Sequence, residues 1–356
     1  MPRIKTLLLL VCTATLFFSC KKDISSKQDI KKDPLTMIIP TGGNRWDQLG
    51  VPNIVVPGAP PTNMYNFSFA ANDKVYAALP GYNQLWQYDP ATTLWSLIKS
   101  NFFSFNPMAG GNDYYKYAFT NGSNIYFVNP GTKKLKQYNL LTASWTDMAN
   151  FPGTAIASIT ATFTATKGYV LSGISGSDGN GYGYAVVENW EYDFAANTWT
   201  SKANTPGLSR YNAASLAWGD KIYFGTGISV LLVFNPSTFQ IYRIPVTDAD
   251  WYEYNTTTNT WTKKADFGGG VRQDTRGFVI NGTVYLGFGT AGYYTDIRTD
   301  LYSYNPASNT WAARSSYPPG NGYPPYITMV GAATSGYAIT EDITAFWRYT
   351  APYNLF

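Results

Sequence analysis

The chain has no histidine, and its two cysteines, Cys12 and Cys20, both fall in the first twenty residues of 356. Without imidazole there is no Ser-His-Asp triad, no His-containing zinc centre and no ordinary near-neutral proton shuttle. Beyond residue 20 there is no thiol to pair, so the rest of the chain must hold by core packing and strand ladders alone. Charge is also scarce, at 13% of residues, and residues 45–356 carry 19 basic and 19 acidic groups. A balanced charge leaves no electrostatic footprint for nucleic acid. The chain has few acids or bases but many aromatics (17%), with 32 Gly and 21 Pro. That composition fits many short strands joined by tight turns.

The first apolar run, residues 7–18, follows Arg3 and Lys5 and is too short to cross a bilayer as a helix. It reads as a secretory signal over residues 1–19. Leu16-Phe17-Phe18-Ser19-Cys20 resembles a bacterial lipobox, although the usual Leu would stand one place nearer the cysteine. The resemblance implies acylation of Cys20, a polar tether over 20–44, and a cell-envelope, outer-membrane lipoprotein facing either the periplasm or the outside. An ordinary signal peptide with an incidental cysteine is the other reading.

The remaining chain, 45–356, is a repeat. A Tyr is followed seven residues later by a Trp five times: Tyr88/Trp95, Tyr138/Trp145, Tyr192/Trp199, Tyr254/Trp261 and Tyr304/Trp311. Turn sequences such as Asp89-Pro90-Ala91-Thr92-Thr93 lie between them, so each unit predicts a hairpin. Upstream of each lies an apolar run around Tyr76, Tyr126, Tyr169, Tyr223, Tyr285 or Tyr337, preceded by one further apolar stretch. Four strands per 50–62 residues predict six blades of a β-propeller, in which the repeated Tyr and Trp pack between blades. Tyr349 has no Trp after it, but Asn44-Arg45-Trp46 resembles Asn309-Thr310-Trp311. The expectation is therefore that residues 45–49 supply the outermost strand of the sixth blade. Residues 230–244 exceed the repeat and predict a separate hairpin around Asn235-Pro236-Ser237-Thr238, an insertion in preference to the remnant of an extra blade.

This organisation resembles the kelch family, over about 310 residues. The family's Arg stands thirteen places before the strand Tyr, as Arg210 does before Tyr223 and Arg272 before Tyr285. Its Gly pair is altered here to Pro80-Gly81, Gly225-Thr226-Gly227 and Gly287-Phe288-Gly289. The resemblance implies an all-β, six-bladed propeller of four antiparallel strands per blade, and says little about activity. Galactose-oxidase chemistry does not carry over, because its copper needs imidazole ligands and a Cys cross-linked to Tyr. Sialidase propellers carry repeated Asp boxes, and the single echo here, Ser175 to Gly179, lacks the Trp. The family's sialic-acid mutarotase needs only an acid and a base across a sugar, so carboxylates and Arg can supply it.

In such a ring one rim collects the loops between blades and those between second and third strands. Tyr82, Tyr182, Tyr184, Tyr293, Tyr294, Asp296 and Glu341 fall on these loops, with Arg210 and Arg272 near the same rim. Flat aromatic faces beside polar groups suit a glycan or a protein ligand. The same Tyr side chains could simply cap the rim, and the family's Arg often braces loops. The Asp178/Asn180 loop has oxygen ligands but no bidentate Glu at a diagnostic spacing, so it reads as a Gly turn and no metal is assigned. The first expectation is a membrane-anchored, non-catalytic, monomeric binding protein without a cofactor. The alternative is a sugar mutarotase, which would require Glu341, Asp296 and Arg272 to converge on one pocket.

Overall fold

A computed structural model describes residues 43–53, 67–105, 117–177, 183–292, 296–318, 327–341 and 343–352. Cys20, the tether, Tyr182, Tyr293, Tyr294 and the 178–180 loop lie outside the described residues. No helix among the described residues is long and apolar enough to cross a membrane.

The described residues are all-β apart from one short 3-10 turn, and they contain six four-stranded antiparallel sheets. Sheet 1 runs Phe67–Ala71, Lys74–Leu79, Gln84–Asp89 and Leu94–Ser100. Sheet 2 runs Tyr117–Asn121, Asn124–Asn129, Lys134–Asn139 and Ser144–Asp147. Sheet 3 runs Thr160–Phe163, Lys167–Leu171, Asn189–Asp193 and Thr198–Ser201. Sheet 4 runs Ala214–Trp218, Lys221–Gly225, Trp251–Asn255 and Thr260–Lys264, and sheet 5 Arg276–Ile280, Thr283–Gly287, Leu301–Asn305 and Thr310–Arg314. Sheet 6 takes Ile327–Ala332, Ser335–Thr340 and Phe346–Thr350 from the end of the chain and Arg45–Leu49 from its start.

Burial falls from the second strand of each sheet to the fourth. Lys74–Leu79 and Ser335–Thr340 are buried at every position but the first, whereas Leu94–Ser100 is mostly exposed. A strand buried on both faces reads as a continuous apolar run, which is why Val75 to Leu79 shows no alternation. Neighbouring sheets supply those two faces. Val75, Leu79 and Tyr88 of sheet 1 cluster with Tyr337, Ile339 and Phe346 of sheet 6, and Phe278 and Tyr285 of sheet 5 with Tyr349. Where a second strand carries Gly beside its Tyr, the neighbour fills the gap. A Cβ on Gly168 would strike the Phe119 ring, and one on Gly336 the Phe278 ring.

The Tyr–Trp hairpins form for local reasons. Asp89, Asn139, Asp193, Asn255 and Asn305 each accept the backbone N–H two residues on, from Ala91, Leu141, Ala195, Thr257 and Ala307. This is the Asx geometry that starts a turn. The turn ends in a left-handed residue, φ 54° at Asn197, 55° at Asn259 and 53° at Asn309. Asn tolerates that conformation better than most residues.

The same residues join sheet to sheet. Tyr192, Tyr254 and Tyr304 donate their hydroxyls to Asn197, Asn259 and Asn309 at 2.7–2.8 Å. Each Asn oxygen also accepts a backbone N–H from just after the preceding sheet: Ala149, Ala203 and Ala265, all at 2.8 Å. The Trp indoles bond the preceding segment too: Trp145 to the Phe102 carbonyl at 2.7 Å, Trp199 to Ala149 at 2.9 Å, Trp261 to Ala203 at 3.0 Å and Trp311 to Ala265 at 3.1 Å.

At the chain ends this pattern is assembled from pieces about 300 residues apart. Trp46 lies opposite Tyr349 in the register of Arg45–Leu49 against Phe346–Thr350. Tyr349 donates to Asn44 at 2.9 Å, Asn44 accepts Ser315 N–H at 2.8 Å, and Trp46 donates to the Ser315 carbonyl at 2.9 Å. Trp95 of sheet 1 then donates to Gly50, just after the Arg45–Leu49 strand, at 2.9 Å. Each sheet thus reaches back to its predecessor, and the first reaches the sixth. The first strands touch in the same order, Ile327–Ala332 meeting Phe67–Ala71.

The extra residues form the expected hairpin. Ile228–Asn235 pairs with Gln240–Thr247 through eight residue pairs, between the second and third strands of sheet 4. It adds to Arg210–Tyr211 and to no four-stranded sheet, as an insertion would.

Candidate functional site

Antiparallel pairing puts two kinds of connection at one end of each sheet: the link from second to third strand, and the segment entering the first strand. Hydrogen bonds tie them together between sheets. Gly173 N–H donates to the Arg210 carbonyl at 3.1 Å, and Gly227 N–H to the Arg272 carbonyl at 2.8 Å. This end is the rim on which the candidate residues lie.

Arg210 and Arg272 are each 1% exposed. Arg210 makes a two-pronged pair with Asp250, 2.7 Å from Nη2 to Oδ2, and donates to the Thr226 and Leu208 carbonyls at 3.2 and 3.3 Å. Arg272 pairs in the same way with Asp300, at 3.1 Å, and donates to the Phe288 carbonyl at 3.3 Å and to Gly269. Both guanidiniums lie over phenylalanine rings, Phe224 and Phe267. A planar fork matched to a carboxylate and a ring face is a bracing geometry. These two side chains were expected to face a ligand. Their geometry offers little to one, because both guanidiniums are buried and every hydrogen bond they make is within the rim, Arg272 Nε being buried without a partner.

The brace also explains the altered glycines. The backbone N–H groups of Thr226 and Phe288 donate to the Asp250 and Asp300 carbonyls, both at 3.1 Å. The preceding Gly225 and Gly287 lie so near those carbonyls that a Cβ would collide with them. Thr226 and Phe288 themselves take left-handed backbone, φ 56° and 62°. In sheet 3 Ser172 donates to the Glu188 carbonyl at 2.9 Å in the same way, but no Arg stands opposite. Glu188 instead accepts from the Thr154 N–H and hydroxyl at 2.8 and 2.7 Å and from the Trp190 indole at 3.2 Å.

The other candidates are scattered along the rim. Tyr82 ends the 3-10 turn Pro80–Tyr82 and packs, half-buried, between sheets 6 and 1. Tyr184 is exposed on the hairpin Ile174–Ser177/Gly183–Ala185, with the Arg243 guanidinium 4.5 Å over its ring. Asp296 pairs with Arg298, both well exposed. Glu341 follows Ser335–Thr340, half-buried, at the corresponding link of sheet 6. The convergence that a mutarotase would need is not formed around Arg272, whose acid is Asp300; Asp296 is engaged elsewhere.

Two carboxylates not singled out from the sequence, Asp248 and Asp274, lie on neighbouring rim segments joined by a backbone hydrogen bond. Asp248 is 21% exposed at its side chain, accepts from the Ser229 hydroxyl, and has Arg210 Nη1 at 3.9 Å. Burial pushes its carboxyl above the ordinary range; Ser229 and Arg210 oppose the rise and Asp250 adds to it. The Asp248 carbonyl accepts the Arg272 N–H at 3.1 Å, and Asp274 stands two residues beyond Arg272. Asp274 accepts from Asn212 Nδ2 at 3.4 Å and faces Arg276 at 3.9 Å. Ser158, Asn212 and Asp274 hold equivalent left-handed positions (φ 51°, 52°, 54°) where adjoining sheets begin. Their backbones are linked in turn, Asn212 to Ser158 at 3.4 Å and Asp274 to Asn212 at 3.1 Å. The Asp248-Ala249-Asp250 triplet before a Trp was the only sequence signal for this cluster.

The six antiparallel sheets and their neighbour contacts define a kelch-like propeller. No known family profile and no curated protein matches the chain. Among solved structures it is similar to YjhT, with a TM-score of 0.57 and 15% identity over 79% of this chain and 93% of that one.

Proposed function

We propose that the six sheets are the blades of one closed propeller, and that its rim isomerises a sugar of the sialic-acid type at the anomeric carbon. The observation that carries this reading is Asp248, a carboxyl held toward its neutral form beside Ser229 and the Arg210–Asp250 pair. Anomer exchange needs an acid and a base. The anomeric hydroxyl gives its proton to a base, the ring C–O bond breaks, and the ring oxygen takes a proton from an acid; closure on the other face reverses the steps. Asp248 is the acid of this proposal. Asp274 is the base, next to Arg276 and Asn212. Such a reaction benefits from two groups whose surroundings push their protonation apart. The fold likeness to YjhT supports the propeller, and the resemblance of the sequence to the kelch family, which includes a sialic-acid mutarotase, supports the reaction. Tyr82, Tyr184 and Glu341, with Tyr182, Tyr293 and Tyr294, are proposed to line the same rim, while Arg210 and Arg272 position it.

A second reading, a non-catalytic rim that holds a glycan or protein, is favoured by one feature: Arg210 and Arg272, the two arginines expected from the sequence to meet a ligand, are engaged within the fold. In either case the chain is proposed to act as a monomer in the cell envelope, anchored through Cys20.

NMR of anomer exchange decides between the readings, with N-acetylneuraminate and a neutral aldose as substrates. The proposal expects acceleration of the first, lost in Asp248→Asn. It also expects the rate to fall as pH rises through the elevated Asp248 pKa, because the protonated form is required. Acceleration of neither sugar removes the isomerase; glycan retention by the same protein would then select the second reading.

A further inference from the structure

The hairpin Ile228–Asn235/Gln240–Thr247 extends from the rim, touching the 174–185 hairpin where Arg243 lies over Tyr184. Within residues 228–247 the only charged side chain is Arg243. Cross-strand partners share a face, so its register assigns Leu231, Ile244, Val233 and Tyr242 to one face and Leu232, Phe234 and Ile241 to the other. All seven are exposed, with Leu232 at 63%, Phe234 at 55% and Ile241 at 65%. Phe239 at the tip is 83% exposed and meets the Phe234 ring edge-on at 6.2 Å. One face is apolar, the other carries Arg243 among apolar side chains, and Phe239 stands out from a tip otherwise made of Asn235, Pro236, Ser237 and Thr238.

We infer that this hairpin dips its tip into a lipid surface. A groove on a protein partner would cover one face of a ribbon, whereas lipid surrounds it. The absence of any acid, with a lone Arg at the level of Tyr242, complements an anionic headgroup layer. Aromatic and arginine side chains next to the exposed Phe239 match the order of groups across a membrane interface. Depth is limited by the backbone. Gln240–Thr247 is an edge strand, and open strand edges are not tolerated in the hydrocarbon layer. An interfacial depth of roughly 5–10 Å, at about 3.4 Å per strand residue, takes in Phe234, Phe239 and Ile241 and leaves Tyr242 and Arg243 among the headgroups. The hairpin leaves the same rim as Asp248, so this contact would hold that rim toward the membrane.

Hydrogen exchange on the full chain tests the inference, with and without vesicles of phosphatidylethanolamine and phosphatidylglycerol. The amides of residues 232–243 are expected to slow about tenfold on adding vesicles. The slowing should vanish in Phe234→Ser/Phe239→Ser while exchange in the six sheets stays unchanged. Three results would each overturn it: no slowing; slowing equal to that in the 305–309 turn at the other end of the sheets, which an anchor alone explains; or protection that is present without vesicles and grows with protein concentration, which means a second copy covers the hairpin.

Discussion

The two ends of the sheets are built on different principles. At the turn end of sheets 3, 4 and 5 the same Tyr, Asn and Trp recur: the Tyr donates to the Asn of its own turn, and that Asn and the Trp bond the segment after the sheet before. At the rim the links of four sheets differ from one another: a 3-10 turn in sheet 1, a small hairpin in sheet 3, a long apolar one in sheet 4, and two strand residues on each side in sheet 5. The repeated end supplies stability through similar seams, with Thr93 and Ala143 in sheets 1 and 2 where the others have Asn. The unrepeated end is where carboxylates, aromatics and exposed apolar groups accumulate, as expected when loops carry function on a rigid frame.

If the seams are equivalent, the one made from both chain ends should cost as much to break as one made within the chain. Trp46→Ala and Trp199→Ala should each lose about 2–4 kcal/mol, from a half-buried indole and its hydrogen bond. Denaturant titration of both variants checks this. A Trp46 variant that loses less than half as much would show that the sixth seam is weaker than the rest. At the rim, Arg272→Ala leaves Asp300 without its partner and should cost about 2–3 kcal/mol. That figure is discounted because Asp300 is still 28% exposed. Glu188→Gln in sheet 3, where no Arg stands opposite, should cost about 1 kcal/mol or less. Equal losses would mean that the arginines are not braces.

Alkali should attack the seams before the rim. Burial pushes Tyr254 and Tyr304 up to about 12, against an ordinary value near 10. The unfolded chain releases those protons first, so stability is full below about pH 10 and falls as pH climbs toward 12. Thermal melts across that window should show a steady decline, which Tyr254→Phe and Tyr304→Phe reduce. The smallest stability change belongs to Asp248→Asn. Asn keeps the side chain's shape and an oxygen that can accept from Ser229, so the melting temperature should shift by no more than about 1–2 °C. The proposed isomerisation should fall about 10²–10⁴-fold. Loss of stability in place of activity would make Asp248 a structural group.

The seams were legible in the sequence because each is written locally. Trp95 stands seven places after Tyr88 because the four-residue turn 90–93, between the paired Asp89 and Leu94, brings them face to face. The Asn44-Arg45-Trp46 echo marked the closing strand for the same reason. The rim was only partly legible. Arg210 and Arg272 were found from their distance to Tyr223 and Tyr285. Their partners lie 40 and 28 residues away, just before the third strands, and no spacing rule links them. Asp296 and Glu341 fell on the expected links, yet Asp296 turned to its near neighbour Arg298 and left Arg272 to Asp300.

Sequence alone determined the repeat, the hairpins and the residues that close them, because turns and strand periodicity depend on neighbours a few places apart. Only the tertiary structure decided which acid meets which arginine, which carboxyl is kept from water, and which apolar hairpin finds no cover. Each of those depends on how sheets distant in the chain come to face one another, and so on distances that local chemistry does not set.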